Sequence, residues 1–219
     1  AGPKVVRKGG VALYPEEKRI EINGRFCLAE GPIELLACAA GGKEYESIIA
    51  LDVNPEILHF CLLLLKLKPG DKGPEFQGDP EHMPSGSPVT VKVRWKDANG
   101  AEKTVPAEEL CWNNYEKRTM EPTPWVFSGS RMVKDPNTGN QVYWANVDKS
   151  VIVVYRDPFS VLDLPTAASA NDEAFVVNKQ AVPPVGTACT VILEPGPPIP
   201  PAPKNAQGGS VRPVDVTAG

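Results

Sequence analysis

Apolar and polar residues alternate from Lys18 to Leu28, with Ile20, Ile22, Phe26 and Leu28 on the apolar phase. A period of two predicts strand, and Asn23-Gly24 in the middle predicts a tight turn between two strands. Pro32 to Ala40 reads as a more fully apolar strand, Gly41-Gly42 breaks it, and Tyr45 to Val53 reads as another. A helix should follow. Asn54 suits the N-cap, Pro55 the first helical position, and Glu56 complements the helix dipole. Ile57 to Leu67 are nearly all apolar, and Lys68-Pro69-Gly70 is expected to stop the helix. Apolar on most sides, it is expected to be the core element against which the sheet packs. Its polar stripe is Glu56, His59 and Lys66.

Further on, Val89 to Lys96 alternates strongly, and Asp97 to Gly100 predicts a hairpin returning through Ala101 to Val105. Leu110 to Trp112 reads as a helical turn or a bend. Pro124 to Lys134 and Gln141 to Ala145 flank Asp135 to Asn140 as a second hairpin. Ser150 to Tyr155, Phe175 to Asn178 and Thr187 to Leu193 complete the strands. The pattern predicts an α+β, β-dominant fold, with antiparallel or mixed sheets of about ten short strands packed on one main buried helix at about 54–67. The expected divisions are a lead at 1–13, a globular domain at 14–195 and a Pro/Gly-rich tail at 196–219. Pro197, Pro198, Pro200, Pro201 and Pro203 make that tail polyproline-like and mark it as a contact segment.

The 24 prolines and 19 glycines exceed the usual share of roughly 12% and fit a fold with many turns. A net charge of −4 argues against nucleic acid, which requires a basic footprint, and against an anionic membrane surface. No apolar run reaches the roughly 18–20 residues of a membrane-spanning helix. The opening Ala1-Gly2-Pro3 fits a mature N-terminus left after export, in a periplasmic, cell-envelope or extracellular protein. Cys27, Cys38, Cys61, Cys111 and Cys189 have no metal-site spacing, and their apolar neighbours predict mostly buried thiols.

Candidate chemistry is thin. His59 and His82 are the only imidazoles, so a Ser–His–Asp machine or a His/Cys/Met site must use one of them. His82 and Met83 with Cys111 could form a soft copper site, against the simpler reading of a loop histidine. His59 reads as a helix-surface residue. Glu44 and Glu46, at i and i+2, would share one side of an extended strand and could hold a cation or act as an acid/base pair. The plainer reading is a charged hairpin turn. Asp135 to Asn140 lacks the distal glutamate of a calcium loop. Asn171-Asp172-Glu173 suits a turn cap. Trp125 to Arg131 places aromatics on one face and Ser/Arg on the other, as a core strand or the wall of a ligand groove.

The run from Gly31 to Leu65 (G-P-I-E-L-L-A-C-A-A-G-G-K-E-Y-E-S-I-I-A-L-D-V-N-P-E-I-L-H-F-C-L-L-L-L), with P-W-V-F-S-G-S-R at 124–131 and N-D-E-A-F at 171–175, resembles the YdjY-domain family of bacteria. The resemblance covers roughly Tyr14 to Glu194 and implies an exported protein. Glu34, Glu46, Ser47, His59 and Arg131 fall at matching positions, and no catalytic role comes with them. Some relatives carry a ferredoxin-type label, but the scattered cysteines here do not suit a four-cysteine cluster. No cofactor is expected. The expected function is a non-enzymatic, extracytoplasmic domain working through a protein partner or self-assembly. The alternative is a metal- or redox-associated accessory protein, and a hydrolase built on Glu44/Glu46 is a third reading.

Overall fold

The computed structural model describes residues 4–199. The chain begins with a hairpin, β1 (Val6–Lys8) and β2 (Val11–Tyr14), and continues into β3 (Arg19–Phe26), β4 (Leu35–Ala39) and β5 (Ser47–Leu51). Helix α1 (Pro55–Leu64) comes next, then the long β6 (Pro88–Lys96) and its hairpin partner β7 (Glu102–Pro106). Short strands β8 (Cys111–Asn113), β9 (Arg118–Thr119), β10 (Trp125–Phe127), β11 (Met132–Lys134) and β12 (Gln141–Tyr143) lead to a one-turn helix, α2 (Ala145–Asp148). The described chain finishes with β13 (Ser150–Val153), β14 (Leu162–Asp163), β15 (Phe175–Val177) and β16 (Ala188–Pro195).

Eight of these strands close on themselves in the order β3–β16–β6–β10–β14–β13–β4–β5, with β5 returning to β3. Only β13–β14 and β4–β5 are parallel neighbours in this ring. Alternation along β6 turns Val89, Val91, Val93 and Trp95 inward, and β3 contributes Ile20, Ile22 and Phe26. Trp125 is wholly buried, and its indole N–H donates to the Val153 carbonyl at 2.8 Å. Strands β4, β5 and β13 are buried throughout.

The β-dominance expected from the sequence is present, but the arrangement differs in three ways. First, Asn23-Gly24 is not a turn: β3 runs straight through it. On one edge β3 pairs with β2 through Arg19–Ile22, then with β5 through Gly24–Phe26. A Cβ at Gly24 would lie 2.5 Å from the Ala50 carbonyl, so glycine serves the close approach of β5 rather than a bend. Second, α1 joins the core along one face only. Pro55, Leu58, Cys61 and Leu62 face inward, whereas Phe60, Leu63 and Leu64 are exposed. Leu58, Cys61 and Leu62 belong to the same core as the barrel strands, and α1 runs from beside Gly9 past Phe127 at the end of β10. Third, ordered strand extends N-terminal to Tyr14, since β2 buries Val11 and Leu13.

The helix starts as its cap predicts, with the Asn54 side chain accepting from the Ile57 N–H at 3.0 Å. It ends three residues before Leu67. Leu67 N–H donates to the Leu62 carbonyl and Lys66 N–H to that of Leu63, the paired bonds of a Schellman turn. Lys66 fills the left-handed position at φ 65°, where glycine is usual. Lys66→Gly should therefore raise stability by about 1 kcal/mol in urea unfolding. A lowered midpoint would show that the turn carries no such strain.

Helix α2 and strand β14, on either side of β13 in the chain, carry carboxyls shielded from solvent. Asp163 accepts from the Asp157 and Leu164 N–H groups, and Asp148 from that of Ser150. Burial, followed by the nearby Asp157 charge, raises the Asp148 carboxyl to about 6. The folded state thus holds a proton that the unfolded chain has released. This stability contribution is fully present below the unfolded value of 3.8 and is lost as pH rises through about 6. Asp148→Asn keeps the acceptor oxygen. It should match the parent near pH 4 and exceed it at neutral pH by roughly 1 kcal/mol after allowance for solvent screening. Equal stabilities at both pH values in chemical denaturation would refute this.

Candidate functional site

β10 delivers Ser128-Gly129-Ser130-Arg131 to one rim of the barrel. Gly129 (φ 90°) and Ser130 (φ 55°) turn the chain outward into the β11–β12 hairpin. The Gly129 N–H and the Ser128 hydroxyl both donate to the Val161 carbonyl, fixing the start of this turn. No side chain fits at Gly129, because a Cβ would sit 2.7 Å from Pro69 Cβ.

The Gly129 carbonyl points at α1. Tyr143 O–H donates to it at 3.0 Å, and His59 Nδ1 lies 3.1 Å from both that oxygen and the phenol oxygen. With Tyr143 donating to Gly129, His59 fits as the Nδ1–H tautomer. Its ring packs edge-on against Phe127 and Tyr143, at centroid distances of 4.8 and 5.4 Å. Burial pushes the imidazole below its ordinary pKa and favours the neutral form.

Between α1 and the hairpin lies a cavity of about 320 Å³ walled by His59, Phe60, Pro69, Met132 and Tyr143, with Glu56 at its edge. A smaller cavity of about 130 Å³ adjoins it, sharing Gly70, Ser128 and Ser130 and carrying Lys72 and Arg131. The Arg131 guanidinium donates to the Pro74 carbonyl. The expected groove wall at Trp125–Arg131 is therefore divided: aromatics lie in the core, and Ser128 to Arg131 lie at the groove. Phe60 and Tyr143 complete the wall without a sequence signal of their own, since Phe60 lies within an apolar helical run and Tyr143 within a short strand.

Glu34 and Glu46 meet elsewhere, beside a depression of about 540 Å³ that Asp172 and Glu173 also line. Lys43 Nζ lies 3.7 Å from Glu34 and 3.3 Å from Glu46, and Gln77 donates to Glu34 at 2.8 Å. Desolvation, then the Glu46 charge, raises the Glu34 carboxyl. Glu44 does not join Glu46. The segment Glu44–Glu46 is a 3₁₀ turn rather than extended strand, and Glu44 pairs with Arg25 at 2.8 Å and accepts from the Gly41 N–H. That removes the geometric premise of a Glu44/Glu46 acid/base pair. Ser47 is buried and donates to the Lys43 carbonyl.

His82 is tied to Asp79 at 2.8 Å, and Asp79 also accepts from the N–H groups of Glu75 and Glu81. These bonds hold Asp79 well below the usual carboxylate range and push His82 up. Buried Arg156 clamps the same loop through the Asp79 and Thr166 carbonyls and the Met83 sulfur. Cys111 is fully buried with its thiol toward the Ala107 carbonyl. Because His82 is half exposed and Cys111 sealed in the core, the His82–Met83–Cys111 site does not assemble. Among the described residues, no group of three or more His, Cys, Asp or Glu is arranged to hold a metal ion.

Fold and site together define a closed eight-stranded barrel with an apolar groove on its rim. The YdjY domain family model matches residues 16–194, and the chain belongs to that family. No curated protein and no solved structure matches it.

The two imidazoles should titrate on opposite sides of 6.5 by NMR, His59 below and His82 above. For His59, the neutral form contributes stability that is fully present above 6.5 and lost as pH falls through its depressed value. For His82 the sign reverses, with stability present below 6.5 and lost as pH rises through its raised value. Coincident titrations would contradict both environments.

Proposed function

We propose that this protein is a non-enzymatic module acting outside the cytoplasm through protein–protein contacts, as a structural subunit of a cell-envelope or extracellular assembly. The observation that carries this reading is the apolar surface around the groove. Phe60, Leu63 and Leu64 share one face of α1 at i, i+3 and i+4, opposite the residues that face the core. Phe60 is 54% exposed, Leu64 64%, and Met132 across the groove 56%. Val147 on α2, which packs beside α1, is also exposed. Single exposed apolar residues are ordinary, but a group of them beside a groove suits a partner surface.

The charged groups support the same reading. Glu34, Glu44, Glu46, Asp79 and His82 are each engaged by a neighbouring side chain. No helix of the described residues is long and apolar enough to cross a membrane.

The test is a p-benzoylphenylalanine photo-crosslinker at position 60 of the protein in its source cells, followed by fractionation. A discrete heavier adduct outside the cytoplasm is expected from position 60 and not from the exposed control position Tyr115. No adduct, or the same adduct from both positions, would overturn the reading.

A further inference from the structure

The loop after α1, Pro69 to Pro74, is fastened to the end of β10 and carries a cation with it. Gly70 N–H donates to the Phe127 carbonyl at 2.9 Å, and a Cβ at Gly70 would lie 2.1 Å from the Ser85 carbonyl oxygen. Lys72 N–H donates to Ser85 Oγ at 3.1 Å, and the Lys72 carbonyl accepts from the Ser85 N–H at 3.1 Å. These bonds hold the Lys72 backbone against Ser128–Arg131, and the two segments together bound the cavity of about 130 Å³. Among the described residues, Arg19, Arg25, Lys43, Lys92, Arg94, Arg118 and Lys179 each have a carboxylate partner, whereas Lys72 and Arg131 have none. Asp71 also lines the cavity, so two cations stand there against one carboxylate.

We propose that this cavity and the apolar groove beside it together seat the C-terminus of a partner protein. The last apolar side chains fill the groove, and the α-carboxylate lies between Lys72 and Arg131. The inference rests on the reading of the groove as a docking surface and names what that surface recognises.

Size and charge both favour a chain end. At roughly 30 Å³ per water, 130 Å³ is space for about four waters, which suits a carboxylate and is too small for a continuing peptide. The apolar cavity of about 320 Å³ is at the small end of ligand pockets and suits a short apolar stretch rather than a long acyl chain. The two cavities share Gly70, Ser128 and Ser130, so an anion in one lies next to an apolar group in the other. A terminal residue has that construction, its carboxylate one bond from the carbon that bears the side chain. Glu56 borders the apolar cavity and not the cationic one. It therefore repels a carboxylate at that edge and sets the direction of the bound chain. A guanidinium has five N–H donors, and the bond to the Pro74 carbonyl leaves Arg131 others for a charge-assisted pair. Capture of a terminal carboxylate is a recurring mode of peptide recognition.

The experiment uses the purified full chain on two arrays of pentapeptides anchored by their N-termini. Their last three positions are drawn from Ala, Val, Leu, Ile, Phe and Met, and the arrays differ only in ending as carboxylate or carboxamide. A subset is expected to bind at least about tenfold more tightly as the free acid than as its amide. Lys72→Gln combined with Arg131→Gln should erase that preference. Lys72→Gln alone, at an exposed side chain, should reduce it at least threefold and serves where the double variant fails to fold. No bound peptide, equal binding of acid and amide, or a preference that survives these variants would overturn the proposal. Dodecanoate should not displace the bound peptides, and displacement would assign the site to acyl chains instead. In cells, the position-60 adduct should fall at least fivefold in the same variants. An unchanged adduct would sink the carboxylate inference and leave the docking reading intact, whereas no adduct from the parent removes that reading itself.

Discussion

The backbone contact between β3 and β5 at Gly24 is the constraint on which the architecture depends. β3 has one edge occupied by β16 along its length and must share the other between β2 and β5. The transfer is made where glycine lets the Ala50 carbonyl approach, and it turns an open sheet into a ring. Eight strands give an interior about wide enough for side chains to fill. Here Phe26, Trp95, Trp125 and Phe127 fill much of it, with Phe26 and Trp95 edge-on at 5.5 Å. A buried indole must also place its N–H, and the Val153 carbonyl on β13 receives it.

The groove follows from that closure. Because β10 and β16 run alongside each other past β6, the rim where β10 ends receives the turn into the hairpin, the end of α1 and the exit of the last strand together. Loops on a rigid scaffold are a common place for recognition. The positive φ of Ser130 is a local strain of the kind that accumulates where a fold must present a surface. The remaining polar clusters satisfy themselves instead. Lys43 lies between Glu34 and Glu46, Arg25 holds Glu44, and Arg156 fastens the loop that Asp79 and His82 organise.

Local signals were legible in the sequence and closure was not. The Asp97–Gly100 hairpin, the Asn54 cap and the Asp135–Asn140 hairpin rest on residues close in sequence, and all three form. Asn23-Gly24 misleads because the glycine that suits a tight turn also suits a close strand crossing, and only the distant Ala50 decides between them. The end of α1 misleads because a lysine occupies the left-handed position that glycine usually announces. Strand β14 is two residues long and forms only because β10 and β13 flank it. At the site, His59 and Ser128–Arg131 could be named from sequence, but their meeting depends on a Gly129 carbonyl, which no side-chain pattern encodes. Glu44 and Glu46 part because a 3₁₀ turn replaces the expected strand.

The cysteines connect the fold to the proposed setting. All five are free, which is not the usual strategy for an exported protein. Thiol oxidation begins from the thiolate, and burial here works against that form. Desolvation pushes the Cys27 and Cys189 thiols up to about 12 and Cys111 higher still. Cys27 alone is half-buried, and its sulfur donates to the Ser47 carbonyl at 3.1 Å. A barrel closed by backbone pairing needs no cross-link to restrict its ends, and the burial of four of the five thiols works against their oxidation. The cysteines therefore place no demand of their own on the compartment.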